Sequence, residues 1–161
     1  MIIRNVKSED AKAIADFYNY HVVNTTATFE EQPLSETEMS DRIREVGEHF
    51  PWLVAEEDEI LGYAYASKFS ERSAYRFSVE TTIYCGEIHR NKGIGTQLYT
   101  ELLKRVRELE LKVAYGRIAL PNEPSIKLHE KLGFKKVAHL SKVGFKLGKW
   151  IDVGYWELLL N

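Results

Sequence analysis

The run Arg90-Asn91-Lys92-Gly93-Ile94-Gly95 sets basic side chains and two glycines directly before a long amphipathic segment. The first turn of a helix carries N–H groups with no intrahelical partner and a partial positive charge, so it suits a phosphate. Glycine lets the backbone approach a pyrophosphate closely, and Arg90 and Lys92 add charge beside it. The plainer alternative is a strand–helix turn with solvated basic residues, and local composition leaves both open. The three glycines of G-x-G-x-x-G spacing are missing, so the dinucleotide-binding fingerprint fails. A Walker loop fails as well, because no Gly-Lys-Ser/Thr run is present.

Glu80 is the candidate general base. It sits between apolar Val79 and Ile83 in a strand-like run, where a charge is costly unless it has a role or a partner. Strand alternation pointing it outward is the bland alternative. Asn122 and Ser125 flank a proline-bounded loop and read as turn and cap residues. His129 lies one helical turn beyond Ser125, where imidazole can donate a proton or simply be hydrogen-bonded. Arg72, Arg76 and Lys68 lie in or beside the loop before Glu80, and an arginine fork suits a carboxylate. Arg76 is four residues before Glu80, so on a regular extended strand both would face the same side. Tyr75, Phe77, Phe29 and Trp150 are candidate pocket walls.

These residues need a scaffold to bring them together. Residues 2–6 read as a first strand, and Ser8 as the cap of a helix over 9–24. Ser35-Glu36-Thr37-Glu38 has capping-box spacing and opens a second helix. Strands follow over 52–56 and 60–69, joined through Glu57-Asp58-Glu59, and a third runs over 77–85. Ile94, Leu98, Leu102, Leu103, Val106 and Leu109 repeat with helical period over 93–109. A strand over 113–120, a short helix over 125–132 ended by Gly133, and strands over 134–146 and 150–160 complete the order. The order β-α-α-β-β-β-α-β-α-β-β predicts an α+β mixed sheet with helices on both faces. Scattered Pro and Gly and the length of 161 residues predict one domain over 1–161.

Composition excludes several classes. A net charge of -2 gives no general affinity for nucleic acid or acidic membranes. The only cysteine is Cys85, so no intrachain disulfide can form, which suits a reducing cytoplasm. The N-terminal residues lack a secretory apolar run, and no apolar stretch nears the ~18–20 residues of a membrane helix. An intracellular soluble protein is expected.

The segment Arg90 to Gly95 resembles the R/Q-x-x-G-x-G/A signature of the GNAT acyltransferases, at the matching place after a central strand. Pro121-Asn122-Glu123-Pro124-Ser125 followed by Leu128-His129-Glu130-Lys131-Leu132-Gly133-Phe134 resembles the same family's later asparagine loop and helix end. Thr25 to Glu30, Val79 to Tyr84, and Gly144 to Gly154 are similar to the phosphinothricin and methionine-sulfoximine N-acetyltransferase branch.

The resemblance implies a GNAT fold, with a central twisted mixed sheet of about seven strands and about four helices. It implies acetyl-CoA as co-substrate, no metal, and direct acetyl transfer to the amine of a small amino-acid-like acceptor bearing a carboxylate. Glu80 then becomes the base and His129 the acid in place of the tyrosine many family members carry. Ile83, Tyr84, Cys85, Arg90, Asn91, Lys92, Gly93, Ile94, Gly95, Thr96, Asn122 and Ser125 become cofactor contacts. Cys85 is a filler rather than a nucleophile. A homodimer is implied, with the late strand over 150–160 as an interface element.

Two alternatives stay open. One is transfer to another small amine, a polyamine, an aminoglycoside or a protein N-terminus. The other is a non-catalytic acyl-CoA sensor. On this reading, Arg76→Ala raises KM for an anionic amino-acid acceptor far more than KM for acetyl-CoA. Steady-state kinetics varying each substrate in turn checks it, and equal effects on both would remove the anchor role.

Overall fold

Leu98, Leu102, Leu103 and Val106 recur at three- and four-residue spacing, and all are buried along one face of helix α3 (Ile94–Glu108). That stripe packs on a seven-stranded sheet. The fold is a computed structural model, and it describes residues 1–86 and 92–161. The remaining elements are β1 (Ile2–Asn5), α1 (Ala11–Asn24), α2 (Glu36–Gly47), β2 (Trp52–Glu56), β3 (Ile60–Lys68), β4 (Ser78–Cys85), β5 (Val113–Leu120), α4 (Glu123–Lys131), β6 (Lys135–Lys146) and β7 (Lys149–Leu159). Short 3₁₀ turns cover Ser8–Asp10 and Ser73–Tyr75. The strand order is β1-β2-β3-β4-β5-β7-β6. This is the expected α+β arrangement. Among the described residues no helix is long and apolar enough to cross a membrane.

Two cores flank the sheet. Leu53, Ala64, Val79, Ala114, Ile118 and Trp156 meet α3 on one face. Trp52, Val54 and Tyr63 meet α1 and α2 on the other. Neighbouring β residues point to opposite faces, so β4 is divided between the two cores. Val79, Ile83 and Cys85 turn toward α3, while Tyr84 packs under α1 against Tyr18 and His21.

Every ladder is antiparallel except β4–β5. That parallel contact is short: Ser78↔Val113, Val79↔Ala114 and Glu80↔Tyr115. Beyond it β4 continues to Cys85 paired only with β3, and β5 continues to Leu120 paired only with β7. The two central strands therefore part in the middle of the sheet.

Several local expectations are met. Ser35 Oγ accepts the Glu38 N–H at 3.1 Å, and the Glu38 carboxylate accepts the Ser35 N–H at 2.7 Å. Gly133 has φ 93, the left-handed conformation that stops α4. One expectation is corrected. Ser8 caps nothing with its side chain; the Asp10 carboxylate accepts the Lys7 N–H at 2.7 Å, and the α-helix starts only at Ala11. The last strand, β7, lies inside the sheet between β5 and β6, and β6 forms the edge.

Asp10 has a second task. It is buried, and Arg4 donates to both its oxygens at 2.8 and 2.9 Å while also gripping Glu56 at 2.7 and 2.9 Å. This ties β1, β2 and the start of α1 together, and α1 carries Tyr18 and His21 to the sheet. Hydrogen bonds from Arg4 hold the Asp10 carboxyl below its ordinary range. A depressed folded-state pKa contributes stability above the unfolded value and loses it as pH falls through the folded one. Asp10→Asn is expected to cost about 2 kcal/mol near neutral pH, less than for a fully desolvated pair because Arg4 and Glu56 keep some exposure. Urea unfolding at pH 7 and pH 3 checks it. The gap between variant and wild type narrows at the lower pH, and a constant gap would contradict the linkage.

Candidate active site

The parting of β4 and β5 opens a cleft of about 800 Å³ through the sheet. Thr81 to Cys85 line one side, and Arg117, Ile118 and Ala119 the other. The first turn of α3 (Gly93 to Thr96) and the start of α4 (Asn122, Pro124, Ser125, Leu128, His129) close one end, and His21 and Ala27 the other.

Gly93 is the N-cap of α3, with φ 77, and among the described residues no side chain caps the helix. Its carbonyl accepts the Gln97 N–H at 3.1 Å, but the first-turn N–H groups have no intrahelical partner. These donors and the helix dipole suit an anion. Gly95 lies close to Cys85 and Leu128: a Cβ there would meet Cys85 Sγ and Leu128 Cδ2 at 3.4 Å each. Lys131 reaches over from α4, its Nζ 3.4 Å from Thr96 Oγ1, and Lys127 also lines the cleft. Neither lysine was singled out from the sequence; the signal is helical spacing, Lys127 lying three residues after Pro124 and Lys131 three after Leu128, both on the cleft side. Lys92 is exposed just ahead of α3. Arg90 and Asn91 lie outside the described residues.

Beyond Glu80, β4 has no β5 partner, so alternate backbone groups from Thr82 to Cys85 face the cleft rather than a strand. Ile83, Tyr84 and Cys85 all border it. Burial pushes the Cys85 thiol up to about 11, which leaves it a thiol and a poor nucleophile near neutrality.

The α3 side of the cleft holds a closed polar chain. His129 Nδ1 lies 2.8 Å from the Ser125 carbonyl, so Nδ1 carries the proton. Nε2 then accepts from the Tyr99 hydroxyl at 3.0 Å, and Tyr99 in turn accepts from Thr81 Oγ1 at 2.7 Å. Thr81 Oγ1 also sits 3.3 Å from the Tyr115 carbonyl, at the point where the β4–β5 ladder stops. Burial lowers the His129 pKa, so the imidazole stays neutral. Both of its nitrogens are committed inside the protein. Gly116 makes room for it, because a Cβ there would overlap the ring. Asn122 is the N-cap of α4, its Oδ1 accepting the Ser125 N–H at 3.3 Å.

Glu80 lies on the opposite face. Its side chain is 17% exposed and its Oε1 accepts from Arg117 Nη2 at 2.8 Å. The partner that a mid-strand carboxylate requires is therefore Arg117, which sequence reading missed. Strands β4 and β5 meet parallel, and no short-range spacing announces a pair 37 positions apart.

The remaining acceptor-side expectations are divided. Arg76 is not on β4: it has helical φ and ψ at the end of the 73–75 turn, so strand alternation does not relate it to Glu80. Its guanidinium donates to the Ser73 carbonyl at 3.2 Å and lies 4.6 Å over the Phe77 ring. Arg72 and Tyr75 are exposed beside it, with Tyr75 against Phe69. Phe29 packs over Gly144, and Trp150 lies tilted against Phe145 with 65% exposure. None of these five lines the cleft.

The loop after α1 is held from beneath. Lys146, buried on β6, donates to the Thr28 carbonyl at 2.7 Å and approaches the His21 carbonyl at 3.4 Å. Tyr18 and Thr28 hydroxyls meet at 2.7 Å, and Arg42 grips both Glu30 oxygens at 2.6 and 3.2 Å. These contacts fix the loop that carries Ala27 to the His21 end of the cleft. Lys146 was not picked out from the sequence, where it reads as a solvated strand lysine.

Comparison with known proteins agrees with this geometry. The family model for an acetyltransferase (GNAT) domain matches residues 3–154. Phosphinothricin N-acetyltransferase of Streptomyces viridochromogenes is 38% identical over 156 residues, covering 96% of this chain and 85% of the relative. The L-methionine sulfoximine/L-methionine sulfone acetyltransferase of Salmonella typhimurium is 31% identical, covering 100% of this chain and 95% of the relative. A phosphinothricin acetyltransferase of Sinorhizobium meliloti, solved in complex with acetyl-CoA, superposes with TM-score 0.95 at 37% identity, covering 99% of this chain and 88% of that one.

The packing of His129 on Gly116 yields a direct test. Gly116→Ala is expected to destabilise by about 1–3 kcal/mol through overpacking. In a His129→Ala background the same substitution costs much less, because the ring it would strike is gone. A thermal-unfolding double-mutant cycle measures the difference, and additive costs would contradict the contact.

Proposed function

Since the chain belongs to the GNAT acetyltransferase family, we propose that it acetylates the amine of a small amino-acid-like acceptor of the phosphinothricin or methionine sulfoximine type, directly from acetyl-CoA. The observation that carries this reading is the through-sheet cleft, with an uncapped helix N-terminus at one end and a carboxylate on the other face.

The residues fit the co-substrate. The α3 turn of Gly93, Ile94, Gly95 and Thr96 presents N–H groups to a pyrophosphate, with Arg90, Asn91 and Lys92 preceding it. Asn122 and Ser125 border the arm's path at the start of α4, and the backbone of Ile83, Tyr84 and Cys85 lies along it. Acetyl-CoA supplies an acyl group activated as a thioester. Glu80 takes a proton from the acceptor's ammonium, directly or through one water, and frees the nitrogen lone pair. Backbone N–H groups of β4 that lack a strand partner stabilise negative charge on a carbonyl oxygen placed beside them. Holding the amine and the acyl carbon in line can contribute ~7–11 kcal/mol without a covalent enzyme intermediate. His129 acts as a positioning residue: its neutral ring braces Tyr99 and Thr81 where β4 and β5 part. The acid role expected for it finds no support, since its only ring proton faces the Ser125 carbonyl.

Arg72, Tyr75, Arg76, Phe29 and Trp150, none of which lines the cleft, would meet only the outer part of the acceptor's side chain. The exposed apolar side chains Val143, Phe145 and Trp150 at the β6–β7 end favour a homodimer formed there. A lone, half-buried cysteine is in keeping with work in a reducing cytoplasm.

Thiol release from acetyl-CoA is the test, with phosphinothricin, methionine sulfoximine and methionine sulfone as acceptors. Glu80→Gln is expected to lower kcat about 10²- to 10⁴-fold and to leave the Kd for CoA within about twofold. Tight CoA binding with no release for any amine in the wild type would favour the sensor instead.

A further inference from the structure

Arg117 is the one cation in direct contact with the proposed base among the described residues, and neither composition nor spacing assigned it a role. It stands on β5 opposite Tyr155 of β7, and it lines the cleft. One of its terminal nitrogens, Nη2, binds Glu80 Oε1 at 2.8 Å. The two side chains differ in depth: Glu80 is 17% exposed and Arg117 53%. The carboxylate therefore lies deeper, and the guanidinium stands beside it with much of its surface open to solvent. A guanidinium has five N–H donors in a rigid fork, and only part of that set faces Glu80.

The pair has the charge pattern that an α-amino acid needs. Such an acceptor carries an ammonium and a carboxylate two bonds apart. Glu80 and Arg117 carry the opposite charges, also in contact. Laid antiparallel, the ammonium meets the carboxylate of Glu80 and the acceptor carboxylate meets the donors of Arg117 that Glu80 and the neighbouring Tyr155 leave over. Each charge then has an opposite neighbour, so an acceptor with both charges gains where a bare amine does not. The amine is delivered to the base by the same contact. Arg76, the guanidinium favoured by sequence spacing, instead spends a donor on the Ser73 carbonyl and lies on Phe77 outside the cleft lining.

We propose that Arg117 is a specificity-determining residue of the acceptor site, binding the acceptor's carboxylate while Glu80 holds its amine. The inference rests on the acetyltransferase reading above. It names the residue of this chain that would supply the carboxylate contact, which the family assignment does not contain.

The experiment compares each amino-acid acceptor with its neutral carboxamide, in the full-length wild type and in Arg117→Gln, Arg117→Lys and Arg76→Gln. The expected result is a rise of about 10- to 100-fold in KM for the acid in Arg117→Gln. KM for the carboxamide and for acetyl-CoA stays within about twofold, and Arg117→Lys recovers part of the loss. Arg117 is half exposed, so its variants should fold, and unchanged thermal midpoints confirm that. Equal loss for acid and carboxamide, or a fall in kcat alone, would mean that Arg117 only holds Glu80 in place, and the proposal would be overturned. A charge preference lost in Arg76→Gln and kept in Arg117→Gln would overturn it too. Failure of the acetyltransferase reading looks different: the wild type itself would release no thiol with acid or amide.

Discussion

Parallel strands β4 and β5 touch over three residue pairs and then part, and the rest of the site follows from that separation. Had the ladder continued, the backbone of Thr82 to Cys85 would be spent on β5 and the sheet would be closed. What holds the strands apart is side-chain chemistry on the α3 face. The Thr81 hydroxyl approaches the Tyr115 carbonyl where the next ladder contact would fall. Tyr99 and His129 stand behind it, and Gly116 leaves the space the imidazole needs. Removing this wedge would allow pairing to resume or the strands to drift. In either case the backbone donors would leave the place where a carbonyl oxygen needs them.

The opening divides labour between the two faces of the sheet. On the α3 face a helix N-terminus without a side-chain cap offers N–H groups, and Lys131 and Lys127 add positive charge near it. On the α1–α2 face the charged groups come in pairs: Glu80 with Arg117, and Glu30 with Arg42. Under the proposed function, an anionic co-substrate and a zwitterionic acceptor would meet surfaces of different character and need not compete for one site. The α1–α2 face is also the one built from distant pieces. Lys146 on β6 holds the 25–31 loop by the Thr28 carbonyl, a buried ammonium whose pKa burial lowers and nearby Glu31 and Glu30 raise again. The C-terminal hairpin therefore shapes the His21 end of the cleft although β6 lies at the far side of the sheet.

Local signals were well represented in the sequence. The α3 stripe from Ile94 to Val106, the Ser35–Glu38 capping box and the stop at Gly133 each depend on residues within a few positions, and each stands as expected, whereas Leu109 falls past the end of α3 and is exposed. The glycine-bearing start of α3 was legible for the same reason. What was not legible depends on strand order. Glu80 meets Arg117 only because β4 lies beside β5, and Lys146 meets Thr28 only because β6 runs back toward α1. Arg76 shows the converse error. Counting alternation from Glu80 assumed an extended chain, but the segment 73–75 coils into a 3₁₀ turn, which moves the guanidinium onto Phe77. His129 was found by its place after Ser125, yet its partners Tyr99 and Gly116 come from other elements, and they decide what its nitrogens can do.

Hydrogen–deuterium exchange of the full chain with and without acetyl-CoA tests the central claim, that the parted strands and the α3 turn together form the co-substrate site. The account predicts slowed exchange in peptides covering 82–85, 93–96 and 122–125, and none in those covering 137–150. Slowed exchange at α3 with no change over 82–85 would contradict it, because the co-substrate would then bind the helix turn without entering the opening in the sheet.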